Sequence, residues 1–590
     1  MKIFSLRKKK WIVYVIFLLI FFYLSCFITY PLIFNLGRLS TGFADELLIA
    51  WIQNWNIHTF LNHPSNILGI FNTNSFYPYL NTLAYSETFL TSSILSLVPI
   101  IFIKEPIAAN NFTIISSLTL LGFFSYILSF YITKKHLFSF LSGILIQFSP
   151  AILDKIVHIQ VLTVYFFPLS IYFLLNFLKT KKYIYYLLFL LILLAQIYNS
   201  FLPGYYIIFS SLLIILFFIL KDKKRIKLFI SKKIIFSSLI LVLLILPVIT
   251  PYYFVSSEFK YTRDLRDSIH LALQPEDLIS TNSYSKFNNI FSTFFFNKCS
   301  SSKCDIKPGF IGGIFSILSV FSIFYLIKNW KKEDHTIKGL TASAILGIIL
   351  SLGPFLHLFR ATIHKPFPIP LPYSLFYFLF PGFNGFRNSS RFEILFILTI
   401  AILIAYVLKN FFKKTNKIKL GIISAVLILG IIYEFNFPIN FYPILQKKDF
   451  PKVYTWLDKT PKETVIIEMP IFTWNMQPYV FNENWRLYYS TVHFRNMING
   501  ASGFSPFPWQ DFVIKVLREF PSNNSILELK KRRVDLIIFH KEEYDNLNKN
   551  NFSLSGKKID NGKTLFDVLI KNPNLKLIKV FNQDYVFRIK

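Results

Sequence analysis

Blocks of roughly 16–25 apolar residues, almost free of charge, recur along this chain, and each is long enough to cross a hydrocarbon core about 30 Å thick. Inside such a core no water satisfies backbone N–H and C=O groups, so a segment of this kind must satisfy them internally, as an α-helix. The 590 residues are 53% apolar and 18% aromatic, with 69 Phe, against about 45–50% apolar in ordinary soluble domains. The chain reads as an α-helical polytopic membrane protein.

A net charge of +32 raises the question of nucleic acid, and the placement of the charge answers it. Much of the Lys and Arg lies in short runs between apolar blocks, the pattern of cytoplasmic loops. No nucleic-acid partner is expected. The start, MKIFSLRKKK, is basic, and Trp11 to Phe34 is apolar. That run is too long for a signal-peptide core and no clear small-residue cleavage site follows it, so it reads as a retained span with a cytoplasmic N-terminus.

The basic runs Lys134-Lys135, Lys179 to Lys182, Lys221 to Lys233, Lys328 to Lys332 and Lys409 to Lys419 should all be cytoplasmic. Spans that satisfy this lie near 11–34, 107–132, 137–150, 159–178, 183–199, 205–220, 234–253, 308–328, 337–355, 391–409 and 419–434. Eleven crossings leave the C-terminus outside. The apolar block Glu87 to Ile103 is the exception, because a crossing there would put all five basic runs outside. It is placed as an interfacial or re-entrant helix in a first external loop, 35–106. A second large external loop runs over 254–307 and carries Cys299 and Cys304, where a disulfide can persist; a bridge or a pair of free or metal-coordinating thiols both fit. Cys26 lies in the first span.

After about Phe435 charge returns. TVIIEMP, RVDLIIFH, LKLIKVFN and DYVFRIK read as strands, and PKVYTWLDK and FVIKVLREF as helices. The chain thus divides into a membrane domain, 1–434, and an α/β domain, 435–590. Within the latter, MINGASGFSPFPWQ carries a turn signal at Asn499-Gly500 and aromatics that suit a core, docking onto the membrane domain or a sugar. There is no Gly-rich phosphate loop, no HExxH and no nucleophile elbow.

Several stretches carry a likeness: ADELLIAWIQNWN, NSFYPYLNTLAYSE, FSPAILDKIVHIQVLTVYFFPL, GFNGFRNSSRFEI and STVHFRNMINGASGFSPFP. With the basic N-terminus, one span, an external loop opening on an acidic residue, many short-looped spans and an external C-terminal domain, the chain resembles the GT-C superfamily of polytopic glycosyltransferases. Protein O-mannosyltransferases and aminoarabinose transferases belong to it, and the nearest likeness is to its little-characterised bacterial YfhO-like branch. The resemblance implies transfer of a sugar from a polyprenyl-phosphate donor to an extracytoplasmic acceptor (glycan, lipid or protein), with inversion, assisted by a carboxylate of the first external loop acting as general base. Such chemistry is sound, because an acceptor hydroxyl is a poor nucleophile and a positioned carboxylate can take its proton. The donor leaves as a phosphate, which cationic groups neutralise.

Asp45 matches that base, with Glu46 the second candidate. Leu47, Leu48, Trp51, Ile52 and Trp55 recur at helical spacing, so an amphipathic helix should start near Asp45, and a carboxylate in a first turn also serves as a cap. Glu87 could bind the acceptor or a metal, or cap the interfacial helix after Ser86. Asp154 and His158, spaced i, i+4, would share a helix face and could line the same cavity, contribute to a metal site, or form an interfacial polar pair. Arg387 and Arg391 suit the carrier's phosphate, or snorkelling at the interface. No metal ligands are assigned, although some members of the superfamily use a divalent cation (Mg or Mn). Membrane lipid is the remaining partner. Two other classes compete: an inactive scaffold of the same fold, and a lipid or polysaccharide transporter, against which the scarcity of polar residues midway through spans counts.

Overall fold

The computed structural model describes residues 2–278, Lys286, 309–358, 361–362, 368–435, 439–554 and 557–590. Cys299 and Cys304 lie outside the described residues. The chain divides into two compact units. One comprises Met1–Phe34, Thr113–Leu246 and Tyr261–Asn440, and the other Asn35–Phe112, Pro247–Lys260 and Phe441–Lys590.

The first unit is a bundle of helices. Among the described residues, seven helices of the chain are long and apolar enough to cross a membrane, Trp11–Ile28, Ile107–Thr133, Ile159–Thr180, Phe201–Lys221, Lys232–Phe259, Gly313–Lys332 and Ser389–Phe411, or eight if a bent pair counts as one span. This is a multi-pass membrane protein. Helices also stand at the other expected spans, but Tyr183–Ile197 and His335–Ser351 have 15 and 17 residues, about 22 and 26 Å at 1.5 Å per residue. The first helix stops at Ile28, short of Phe34, because the residue preceding Pro31 is pushed out of helical geometry. The expected span 137–150 is broken: His136–Gln147 and Pro150–Val157 meet at 48°, since Pro150 cannot donate into a continued helix.

Helix Glu393–Phe411 is the most buried of the spans, with 89% of its apolar window inside the protein. Gly347 of His335–Ser351 lets it approach; a Cβ there would lie 2.7 Å from the Phe396 backbone nitrogen, which is how small residues permit close helix contact in membranes. Buried polar groups add directed bonds. Gln147 Nε2 donates to Phe21 O (2.9 Å) and to Ser25 Oγ (2.7 Å), and Thr119 Oγ1 donates to the same Ser25 Oγ (3.0 Å). Glu434, buried at the C-terminal end of Lys417–Glu434, accepts from the Gly313 (2.5 Å) and Ile314 (3.2 Å) backbone N–H groups. Those groups open helix Gly313–Asn329 and have no partner within it, so one helix supplies the other's missing cap.

The second unit is built on a five-stranded sheet. Its order is Leu575–Phe581, Asp584–Ile589, Leu536–His540, Val465–Met469, Asn496–Met497. Val465–Met469 runs parallel to both its neighbours, while the two C-terminal strands are antiparallel. The two central strands are buried at every position, as parallel strands covered on both faces must be. Val453, Tyr454, Leu457, Ile466, Met497, Leu536, Ile538 and Val586 form the core.

The segment 35–112 is woven into this unit. Leu39–Ser40 pairs with Tyr442–Pro443. Asn74–Tyr77 runs beside the edge strand: Met497 N donates to Asn74 O (2.7 Å), Tyr77 N to Met497 O (2.8 Å) and Phe76 N to Asn499 O (3.0 Å). The Phe76 ring fills the space over Gly500, where a Cβ would lie 2.6 Å away. Asn499-Gly500 is therefore no exposed turn. Asn499 is fully buried and exchanges two hydrogen bonds with the Glu468 backbone. Helices Leu90–Leu95 and Leu97–Ile103 occupy the block expected to be interfacial. Six and seven residues reach only about 9–11 Å each, too short to cross about 30 Å, and Ile94, Val98, Ile101 and Phe102 are exposed.

Candidate functional site

From Glu46 to Asn54 the helix Asp45–Asn62 is buried on all sides rather than amphipathic. Its polar residues, expected to face water, bind the rest of their own loop. Asn54 Nδ2 donates to Pro106 O (2.9 Å), Asn56 Nδ2 to Thr88 O (2.8 Å) and Ser93 Oγ (3.0 Å), and Gln53 Nε2 to Ser92 Oγ (3.4 Å). Trp51 Nε1 donates to Asn74 Oδ1 (3.2 Å) and Trp55 Nε1 to Ile70 O (2.8 Å). On another side Leu47 and Ala50 join a core with Ile107, Ile444, Phe450 and Tyr488. The result is a rigid platform with two carboxylates at its N-terminal end.

The residue preceding the helix is Ala44, whose side chain cannot cap it. Glu46 is buried, and its Oε2 accepts from Ala44 N (3.1 Å), folding back over Gly42, where a Cβ would lie 2.6 Å from Oε1. Asp45 is half-buried in the first turn of the helix. Glu87 is half-buried and precedes Leu90–Leu95 by three residues, so it does not lie in that helix's first turn, contrary to expectation. Its neighbour is Tyr252, whose hydroxyl donates to Ser86 O (2.5 Å).

In the helical unit, the expectation that Asp154 and His158 share a helix face fails. The helix Pro150–Leu153 passes into a 3₁₀ turn, Asp154–Val157, and His158 precedes a new short helix, Ile159–Leu162. Asp154 pairs instead with Lys155 (2.7 Å). Lys155 is also the cationic neighbour of buried Glu393, near which Asp277 lies buried too. Arg387 is exposed and stands 3.9 Å from Asp267. Arg391 is half-buried, in the 3₁₀ turn Ser389–Phe392, and its carbonyl accepts from Tyr206 (2.6 Å). Asn388 caps that turn, accepting from Ser390 N (3.0 Å).

Asp45, Glu46 and Glu87 thus belong to one compact unit, and Asp154, His158, Arg387 and Arg391 to the other. Among the described residues no three His, Cys, Asp or Glu side chains gather so as to hold a metal ion.

Sequence reasoning missed a buried ionic cluster in the sheet-containing unit. Arg486 of helix Phe481–Ser490 pairs with Glu483, with Glu543 (2.7 Å) and with Glu468 (3.7 Å). His540 lies between Glu468 (Nε2–Oε2 3.0 Å) and Asp584 (Nδ1–Oδ1 2.8 Å). Tyr454 donates to Glu468 Oε2 (2.6 Å), and Asn499 Nδ2 donates to Glu483 Oε2 (3.0 Å). Burial acts to lower the His540 pKa, but the hydrogen bonds to Asp584 and Glu468 outweigh it and push it up to about 10. Burial likewise resists ionisation of Glu468, yet His540, Arg486 and Tyr454 hold its carboxyl below the usual range. At Glu483 burial prevails over Arg486 and raises the carboxyl to about 7. The signal was there to read: Glu468 is the single charge in the apolar strand VIIEM, and a charge buried on both faces of a sheet requires partners.

No protein-family model matches the chain, and no curated protein matches it. Solved structures do. The arabinofuranosyltransferase AftD from Mycobacteria matches over 98% of this chain at a TM-score of 0.54 and 9% identity. The chain spans 40% of that enzyme's length, and at this identity the likeness speaks of fold alone. The archaeal oligosaccharyltransferase AglB from Archaeoglobus fulgidus, in complex with an inhibitory peptide and a dolichol-phosphate, matches over 91% of this chain and 70% of its own at a TM-score of 0.42 and 12% identity, a likeness too loose to argue from.

Proposed function

We propose that the chain is a membrane glycosyltransferase of the GT-C type, moving a sugar from a polyprenyl-phosphate carrier to an acceptor outside the cytoplasm. The observation that carries the reading is the arrangement at Asp45. A half-buried carboxylate stands at the head of a helix whose side chains are locked into their own loop, and the neighbouring Glu46 accepts from the backbone at the helix start. The fold shared with an arabinofuranosyltransferase supports it. The extracytoplasmic placement of residues 435–590 rests on the basic loops.

In this reading the acceptor oxygen attacks the anomeric carbon as the bond from that carbon to the phosphate oxygen breaks. The electron pair leaves with the phosphate, and the acceptor's proton passes to Asp45. Attack opposite the leaving group inverts the anomeric centre. Arg387 or Arg391 steadies the departing phosphate, as a guanidinium fork suits its oxygens. Glu87 is the candidate in the Asp45 unit for orienting the acceptor, and His158 and Asp154 are the candidates that the resemblance supplies in the helical unit. The YfhO-like branch is the member class proposed. The test is transfer from labelled polyprenyl-phosphate sugars by purified full-length protein. Asp45→Asn should fold and lose about 10²–10⁴-fold in rate, the worth of general-base assistance. Full activity in Asp45→Asn, Glu46→Gln and the double variant would remove this site from the mechanism.

A further inference from the structure

Glu468, Asn499 and His540 stand at or just past the carboxyl ends of three adjacent parallel strands, where open α/β sheets place their ligands. Here the place is closed. Glu468 and Glu483 are 0% exposed and Arg486 2%, and the charges answer one another rather than a ligand. The cluster has another connection. Glu483 and Arg486 occupy the face of helix Phe481–Ser490 that meets the sheet. The opposite face presents Tyr488 to Leu47 and Ala50 of the Asp45 helix. Trp485, next to Arg486, packs on Phe43 at 5.4 Å, two residues before Asp45. On the sheet side Ser490 Oγ accepts from Asn74 Nδ2 (3.2 Å), and Asn74 in turn accepts from Trp51 of the Asp45 helix (3.2 Å).

We propose that Arg486 is a positioning residue: its ion pairs clamp helix Phe481–Ser490 to the sheet, and the aromatic back of that helix sets the carboxylate of Asp45. The catalytic part of this rests on the function proposed above. An arginine is required because one planar guanidinium must answer three carboxylates on different elements, Glu483 on its own helix, Glu468 on a central strand and Glu543 on helix Lys541–Lys549. Lys carries the charge but not the fork.

The experiment compares Arg486→Lys with wild type in full-length protein, by hydrogen exchange and by transfer kinetics. Exchange in segment 45–62 should rise at least tenfold, while helix Asn523–Lys531, whose Glu528 pairs with Lys515 and Lys531, stays as in wild type. Equal acceleration in both helices would mean general destabilisation and overturn the proposal, as would no change in either. This readout holds even if Asp45 has no catalytic role. On the kinetic side, kcat should fall about tenfold or more with the acceptor KM within twofold, and the loss should vanish in an Asp45→Asn background. Losses that multiply in the double variant would show that Arg486 does not act through Asp45. If Arg486→Lys fails to fold, Glu543→Gln, at the partly exposed end of the cluster, carries the same comparison.

Discussion

The protonated His540 gives the sheet-containing unit a pH dependence whose sign is fixed by its neighbours. An imidazole at about 10 in the folded chain, against 6.5 unfolded, binds its proton more tightly when folded. Its contribution is fully present below pH 6.5 and is lost as pH rises through about 10. A gap of about 3.5 units at about 1.4 kcal/mol per unit gives an upper bound near 5 kcal/mol, shared with Glu468. Glu483, raised to about 7, acts in the same direction at lower pH: its protonated form is favoured on folding, so stability declines between about pH 4.5 and 7. The assay is native-state hydrogen exchange at strand Leu536–His540 in the full-length protein, with exchange rates corrected for intrinsic pH dependence. Opening free energy should fall across pH 6.5–10 by several kcal/mol. His540→Gln, which keeps the size and can still donate one hydrogen bond, should start less stable and flatten that slope while preserving the decline below pH 7. An unchanged slope between pH 6.5 and 10 in His540→Gln would refute the argument.

Two further tests address the helical unit and the topology. Removing the shared cap with Glu434→Ala leaves the half-buried Gly313 and Ile314 N–H groups without that acceptor, at about 1–3 kcal/mol, whereas Glu434→Gln, which retains one acceptor oxygen, should recover part of the loss; a thermal-unfolding series in detergent measures both. Reporter fusions at Lys104 and Lys590 should read as extracytoplasmic and one at Lys181 as cytoplasmic, and a cytoplasmic signal at Lys104 would overturn the placement of the first loop.

Among the described residues, the seven helices long and apolar enough to cross were legible because their information is local: a long apolar run needs no partner to be read. The strands of the α/β portion were legible for the same reason. What escaped depends on partners far away in sequence. Asn54 and Asn56 look solvent-facing by periodicity, but their amides meet the carbonyls of Pro106 and Thr88, and only the folded loop supplies those acceptors. The pairing of Asp154 with His158 assumed an unbroken helix, and the 3₁₀ turn after Leu153 cancels the i, i+4 geometry. Glu468 announced itself as a lone acid among apolar residues, yet its partner His540 is 72 residues on, and the sheet order alone brings them together.

The pairing of Asn74–Tyr77 with the edge of the sheet sets a schedule for biogenesis. Asn74 and Met497 are 423 positions apart. At synthesis rates of about 5–20 residues per second, the first external loop waits roughly 20–80 s for the strand that completes it. During that interval Leu47, Ala50 and Phe76 lack part of their final surroundings. Assembly of the platform is thus a late event, deferred until the last quarter of the chain is made, and truncation anywhere before Met497 leaves the first loop without its sheet.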